Sequence, residues 1–400
     1  MSLTTPKQVR NIYPLTGIRI LAAGSVLFHH TAKRFLPAFT ASRYDDHSRS
    51  LLAGLLFRVP IAVSFFILLS GYVLSMVYLR NWKPQETRNF FIARFARIYP
   101  LYVLTLLLDT PHTLMAKVRY CGVALGALKT AGVLLAYFVM LQGWHSSRFG
   151  DGIDGPNVTL SAEIFFYLCF PVLGVWLWKL RGRWLLWVAA GLYVGGQLFV
   201  LVQLHRPLVS MVNPLTQLST FFLGVLLARW QTLQPTRKRT QPADVGRAYL
   251  LLAAAALSVV ASAWFAVRFD MLHLFYSGLL APFFAAVIWA LSTTPTTVSR
   301  VLCTRWMFAL GNASFAVYLI HMPLLRLFDF LDWLSPATYP AYLAACLVLS
   351  LLSFRYFETP VRKWLVAKLE SRPPGAFWRA VTDQASRWHA YSESFRVSAK

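Results

Sequence analysis

The sequence predicts an all-α polytopic membrane protein of about ten transmembrane helices plus one partial or re-entrant helix, with both termini cytoplasmic. Three observations carry this reading. Hydrophobic residues fill 57% of the 400 positions, at a mean hydropathy of +0.52. Apolar runs able to cross a hydrocarbon core of about 30 Å recur from one end to the other, and no interval between them has room for a large soluble domain. Finally, 39 Lys and Arg stand against 15 Asp and Glu, a formal charge of +24. They gather in the connecting segments, as the positive-inside rule and anionic head groups require. No recognition motif accompanies this charge, so nucleic acid is not the expected partner.

Taken in order, the apolar runs fall near Leu15 to Phe35, Leu55 to Leu79, Arg97 to Leu108, Cys121 to Leu141, Leu160 to Trp178, Trp184 to Val202, Pro214 to Trp230, Tyr249 to Val267, Leu272 to Leu291, Trp306 to Phe328 and Tyr339 to Phe357. The first is too polar-spotted for a secretory signal core and no small-residue cleavage site follows it, so it is expected to remain as the first span. Dense basic segments lie at Arg80 to Arg97, Lys179 to Arg183, Arg229 to Arg247 and beyond Arg355, with weaker charge at Lys7, Arg10, Arg300 and Arg305. If all are cytoplasmic, the three runs between Arg97 and Lys179 are one too many. The run Ile98 to Leu108 is the shortest and carries Pro100, so it is the first suspect for a helix that does not cross.

Residues 1–368 are expected to form a single membrane domain. The stretch Gln231 to Gly246, with Arg237, Lys238 and Arg239, reads as a solvated cytoplasmic linker. Residues 369–400 read as a basic, aromatic cytoplasmic tail: Pro373, Pro374 and Gly375 open it, and Phe377, Trp378, Trp388, Tyr391 and Phe395 alternate with basic residues. That mixture suits a membrane surface, and equally a disordered tail. Cys121, Cys169, Cys303 and Cys346 are scattered without metal-ligand spacing and read as packing residues, so neither a metal site nor a permanently bound cofactor is expected.

Four polar groups interrupt the apolar runs. Arg19 and His30 lie eleven residues apart in LTGIRILAAGSVLFHH, so on a helix they share a stripe about 16 Å apart along the axis. A buried arginine costs about 2.5–3.5 kcal/mol in a spanning helix and normally faces protein or water; alternatively Arg19 snorkels to the head groups. Glu163, in NVTLSAEIFFYLCFP, shares a face with Tyr167 and can take up a proton or orient an imidazole, or simply complement a helix dipole. Ser314, Tyr318 and His321 form an i, i+4, i+7 stripe near Asn312, able to line a cavity or to bond helices together. Arg88, Arg94 and Arg97 can converge on a phosphate, although positive-inside charge alone would place arginines there.

In combination these fragments resemble acyltransferase family 3, a family of integral membrane acyltransferases. The resemblance runs from Arg19 to about Trp364. An arginine and a histidine separated by ten residues match Arg19 and His30. AVSFFILLSGY (62–72) is similar to the family's GV-S/D-FFFVLSGF stretch, and ARFARIYPLY keeps Arg94, Arg97, Pro100 and Tyr102 of its RR-x-x-RI-x-P-x-Y pattern. VTLSAEIFFYLCFP carries Ser161, Glu163, Tyr167 and Pro171 of WSLSxE-xx-FY-xx-FP, the span Ser314 to Pro323 matches S-Y/F-xx-Y-xx-H-xP, and YFETPVRKWL resembles a closing FxExPxRR segment. Ala93, Val158 and Ile164 depart from the usual residues. Some members carry a C-terminal SGNH-type esterase domain, for which this chain lacks the length.

The resemblance implies transfer of an acyl group, most often acetyl, from cytoplasmic acyl-CoA to a hydroxyl of an exopolysaccharide, O-antigen or lipid-linked precursor at a bacterial inner membrane, or of a small molecule such as a macrolide. It implies that Arg88, Arg94 and Arg97 hold the CoA phosphates. Arg19, His30 and Glu163 are then catalytic, with His30 as general base or acyl carrier, and Ser161, Tyr167, Ser314, Tyr318 and His321 line the substrate cavity. Intramembrane arginine and histidine also suit a transporter or flippase, although no internal repeat is visible. A scaffold without catalysis is the third alternative.

Overall fold

The computed structural model describes residues 13–36, 59–144, 155–205, 213–234, 241–269, 275 and 277–369. Lys7, Arg10, the basic triplet Arg237 to Arg239 and the tail from residue 370 lie outside the described residues. The described chain is helical throughout and contains no strand. Seven of its helices are long and apolar enough to cross a membrane.

The first span is a short α1 (Tyr13–Gly17) followed, after a turn at Ile18, by α2 (Arg19–Phe35). There follow α3 (Val59–Tyr78), α4 (Glu86–Cys121) and α5 (Val123–Phe138). Next, α6 (Val158–Cys169) continues through a π-helical turn, Phe170–Gly174, to Trp178. Then come α7 (Gly182–His205), α8 (Pro214–Leu233), α9 (Pro242–Phe269), α10 (Ala281–Thr293), the short α11 (Thr297–Leu302) and α12 (Arg305–Phe330). Last, α13 (Tyr339–Leu352) passes through a second π-helical stretch, Ser353–Glu358, into a final helical segment, Thr359–Leu369.

The expectation that Ile98 to Leu108 forms a short re-entrant helix is overturned. Those residues lie inside the 36-residue α4, which holds Pro100 and Pro111 in its interior and is long and apolar enough to cross a membrane. Proline removes one hydrogen bond and kinks a helix, but neighbouring helices restore what the backbone loses. The short apolar helices are instead α5, of 16 residues, and α10, of 13. At 1.5 Å per residue they reach about 24 and 20 Å, less than the hydrocarbon thickness. Two boundaries also move: α8 absorbs Gln231 to Leu233 and α9 begins at Pro242, which shortens the expected linker, and α13 continues to Leu369 beyond the expected end of the last span.

Helix α8 sits at the centre, packed against α3, α6 and α7. This explains why it can bury Thr216, Gln217 and Thr220 and fall short of a typical span in hydropathy, since it faces protein and not lipid. By contrast α7 and α9 turn Trp187, Leu198, Leu250 and Leu257 outward, more than half exposed each, as lipid-facing helices do. Where helices cross most closely they do so at glycines: a Cβ on Gly71 would meet Phe221 O at 2.0 Å, and one on Gly224 would meet Leu68 O at 2.1 Å. Gly17 and Gly311 play the same part where α1 meets α11 and α12, facing Leu302 O at 2.1 Å and Thr16 O at 2.0 Å. Small residues at crossings let backbones approach and gain van der Waals contact where lipid supplies no hydrophobic drive. Stacked rings fix the arrangement around them, with Phe166 on Phe221 at 5.0 Å and Phe90 on Phe170 at 5.2 Å.

A polar contact the sequence did not suggest joins α4 to α12. Asp109 is buried inside the helix and forms an ion pair with Arg326. A nearby pair, Arg34 with Asp329, ties the end of α2 to the end of α12 at the surface.

Candidate active site

The turn at Ile18 sets the start of α2 so that Arg19 points inward, to a cavity of about 170 Å³ enclosed by α1, α2, α3, α4, α6 and α12. Its polar wall is made by Arg19, Arg94, Arg97, Glu163, Tyr167, Ser314 and Tyr318 together with Thr16, Ser70 and Thr159. Apolar residues of α3, among them Val63, Ile67 and Leu74, complete it. Arg19 therefore faces protein, not the head groups, and its Nε has no hydrogen-bond partner.

Charge is concentrated here. The strongest electrostatic partners of Arg19 are Arg97, Glu163, Tyr167 and Arg94. Arg94 and Arg97 fall one turn apart on α4, which directs both side chains to the same side. Arg94 lies between two tyrosine rings, 5.7 Å from the centroid of Tyr78 and 6.0 Å from that of Tyr167, and its Nη2 donates to Tyr78 Oη at 3.4 Å. Cation–π contact of this kind positions a guanidinium while leaving its N–H groups for a ligand. On α6 the i, i+4 spacing brings the Tyr167 hydroxyl to donate to the Glu163 carboxylate. Glu163 thus serves the arginine side of the site.

Tyr318 connects this cavity to the histidines. Its hydroxyl donates to Pro156 O at 2.5 Å and pairs with the Thr159 hydroxyl at 2.6 Å, anchoring α12 to the start of α6. The ring centroid of Tyr318 lies 6.1 Å from that of His321, and His321 lies 5.5 Å from His30. His29 stands edge-on to His30 at 5.0 Å. His321 is fully buried and neither ring nitrogen makes a hydrogen bond. The two histidines are not on the cavity wall; they continue its polar track toward the end of α2 opposite Arg19.

The remaining expected residues lie elsewhere. The Ser161 hydroxyl is buried and accepts the Gly143 N–H at 3.0 Å, fastening the end of the α5 connection to α6. Arg88 is exposed and donates to Leu369 O at 3.0 Å, holding the end of α13 against α4. Ser314 does line the cavity, and its Oγ has no hydrogen-bond partner.

Sequence reasoning missed two charged residues beside the arginines. Glu358 is 9% exposed, and its strongest electrostatic partners are Arg97, Arg362 and Arg19. Arg362, one turn later, acts chiefly with Arg97, Arg94 and Glu358. Their signal was the acid-to-base i, i+4 spacing within YFETPVRKWL. No cluster of three or more His, Cys, Asp or Glu able to hold a metal occurs among the described residues.

A bundle of membrane-length helices around an inward-facing, arginine-rich cavity defines an integral membrane protein with a cationic site inside its own core. The family model described as "Acyltransferase domain" matches residues 12–355. The chain belongs to this family and is an acyl-transferring enzyme. Among its relatives, acyltransferase MdmB of Streptomyces mycarofaciens is 28% identical over 343 residues, covering 80% of this chain and 81% of the relative. Peptidoglycan O-acetyltransferase OatA of Listeria monocytogenes is 27% identical over 332 residues, covering 76% of this chain. The chain spans only 51% of OatA's length. No solved structure matches the chain.

Proposed function

We propose that this enzyme moves an acyl group, most simply acetyl, from cytoplasmic acyl-CoA to a hydroxyl of an envelope glycan or its lipid-linked precursor, at the inner membrane of a bacterium. The observation that carries the reading is the convergence of Arg19, Arg94 and Arg97, from two separate helices, on one cavity, with Tyr318 on its wall and His321 and His30 packed in turn behind that ring. Ten crossings with cytoplasmic termini accompany it, because the arginine end is then the end bordered by Arg80, Lys83 and Arg88.

Each part has a chemical task. Arg94 and Arg97 pair with the phosphates of CoA by charge-assisted hydrogen bonds, while Glu163 and Tyr167 hold the cations in register. Arg19, deeper along the same wall, holds the donor by charge-assisted hydrogen bonds and directs it toward His30. His30 takes the proton of the acceptor hydroxyl, the new C–O bond forms, the C–S bond breaks, and the proton passes to the leaving thiolate. His321 packs against the imidazole and limits its orientation. A carbohydrate acceptor is supported by the named activity of OatA.

Purified protein in detergent, given radiolabelled acetyl-CoA and an oligosaccharide acceptor, is expected to form an O-acetyl ester, and His30→Ala to abolish it while keeping its thermal unfolding profile. Equal transfer by His30→Ala would remove the histidine from the chemistry. Absence of any transfer or acyl adduct in the wild type, across glycan acceptors, would remove the glycan reading.

A further inference from the structure

His321 is an unfavourable residue for packing alone. Its side chain is fully buried and neither ring nitrogen has a hydrogen-bond partner. The carbonyls of Val317 and Tyr318, on the preceding turn of α12, approach the ring without reaching hydrogen-bond geometry. Burying a polar group in this state costs stability, whereas a phenyl ring of similar size would fill the same space without that penalty. What the imidazole does meet is another imidazole: its centroid lies 5.5 Å from that of His30, with the planes inclined by 36°. Two imidazoles joined by an N–H···N bond of about 2.9 Å have centroids about 5 Å apart, so a small turn of one ring brings these two into contact.

The helices that carry the pair are held in register from behind by α13. Tyr342, fully buried, donates to His321 O at 2.7 Å, and the Tyr339 hydroxyl, one turn earlier, pairs at 3.0 Å with that of Thr31, the neighbour of His30. The nearby acids are engaged elsewhere: Glu163 by the Tyr167 hydroxyl, Asp109 by Arg326 and Asp329 by Arg34. Orientation of an imidazole, one of the roles open to Glu163 from its sequence, therefore falls to α12.

We propose that His321 is the orienting partner of His30, a positioning residue that accepts a hydrogen bond from the His30 N–H on the side away from the acceptor hydroxyl. This rests on His30 as general base, the reading given above. The bond leaves the other His30 nitrogen unprotonated and turned to the acceptor. When the hydroxyl proton moves onto that nitrogen, the bond becomes charge-assisted, and His321 steadies the imidazolium without taking the proton. The proton stays on His30 until it passes to the thiolate. Catalytic hydrogen bonds are often long or poorly aligned until the reacting complex forms, as the inclined rings are here.

The test is steady-state acetyl transfer by the purified full chain, with acetyl-CoA and the oligosaccharide acceptor, beside thermal unfolding of each variant. His321→Phe keeps the ring and removes the acceptor nitrogen; kcat is expected to fall about a hundredfold, less than when a triad loses its charged orienting group, with KM for acetyl-CoA unchanged and Tm equal or higher. His321→Asn and His321→Gln place an amide oxygen near the two ring-nitrogen positions, and one of them is expected to recover about tenfold over His321→Phe. Should His321→Phe not fold, His321→Leu fills the space without an acceptor and is expected to show the same loss. A packing role predicts the reverse order, with phenylalanine active and the amides impaired. That order, or neither amide exceeding phenylalanine, overturns the proposal while an inactive His30→Ala leaves the general-base reading standing. Transfer by His30→Ala equal to wild type, or none by the wild type, removes both.

Discussion

Replacing Gly224 by alanine tests whether the central crossing of α3 and α8 is as close as described. The new Cβ would lie 2.1 Å from Leu68 O and 2.9 Å from Tyr72 N, both backbone atoms that cannot rotate away. Contacts under 3.0 Å essentially never occur, so the two helices must part by at least about 0.9 Å. A gap of that size forfeits about a quarter to a half of the dispersion energy of each facing atom pair. Overpacking of this kind costs about 1–3 kcal/mol, equivalent to about 3 °C in Tm for each kcal/mol. The strain would also reach the cavity, because α3 carries Val63, Ile67, Ser70 and Leu74 on its wall. The assay is thermal unfolding in detergent by intrinsic fluorescence, with Gly132→Ala as control, since nothing lies within 4 Å of a Cβ there. Gly71→Ala, which meets Phe221 O at 2.0 Å, should destabilise similarly, and the double variant by less than the sum, because one displacement relieves both. If Gly224→Ala melts together with wild type and Gly132→Ala, the helices do not cross as described.

Three further outcomes are expected. Arg97→Gln, which removes a cavity-lining cation, should raise KM for acetyl-CoA about tenfold with a smaller change in kcat, read from steady-state kinetics of acetyl transfer. Asp109→Asn strands Arg326 beside a neutral partner inside the bundle and should cost about 3–5 kcal/mol, whereas Asp109→Leu with Arg326→Met should recover most of that, both measured by thermal unfolding. Tyr318→Phe removes the hydroxyl that bonds Pro156 O and Thr159 and should lower kcat without abolishing transfer, in contrast to His30→Ala; equal losses would place the Tyr318 hydroxyl in the chemistry itself.

The parts of this site that are local in sequence were legible there. Glu163 and Tyr167, four residues apart, do meet, and Arg94 and Arg97 do share a side of α4, because helical periodicity alone fixes both relations. The cost of exposing a guanidinium to lipid left Arg19 two places, a protein-lined site or the head groups, and the structure puts it on the cavity. What failed was long-range. Asp109 falls just beyond the expected run Arg97 to Leu108, and only its partner on α12 explains its burial. Ser161 adjoins Glu163 in the chain, but its hydroxyl is taken by the Gly143 N–H, a contact no periodicity encodes. Glu358 and Arg362 stood in a visible motif, yet nothing near them in the sequence announces that α13 packs beside α4.

The π-helical stretch near the end of α13 sets an angular phase as well as a position. A π turn takes up one residue more than an α turn, so every side chain after it is rotated by about 100° relative to an uninterrupted helix. Upstream, Arg355 and Tyr356 are exposed, while Glu358 is buried and Arg362 follows it inward. Deletion of Phe354, an uncharged residue of that stretch, would therefore preserve charge and helicity while turning Glu358 and Arg362 together away from their present side. The chain's indexing, and not only its chemistry, decides which charges the end of α13 turns inward.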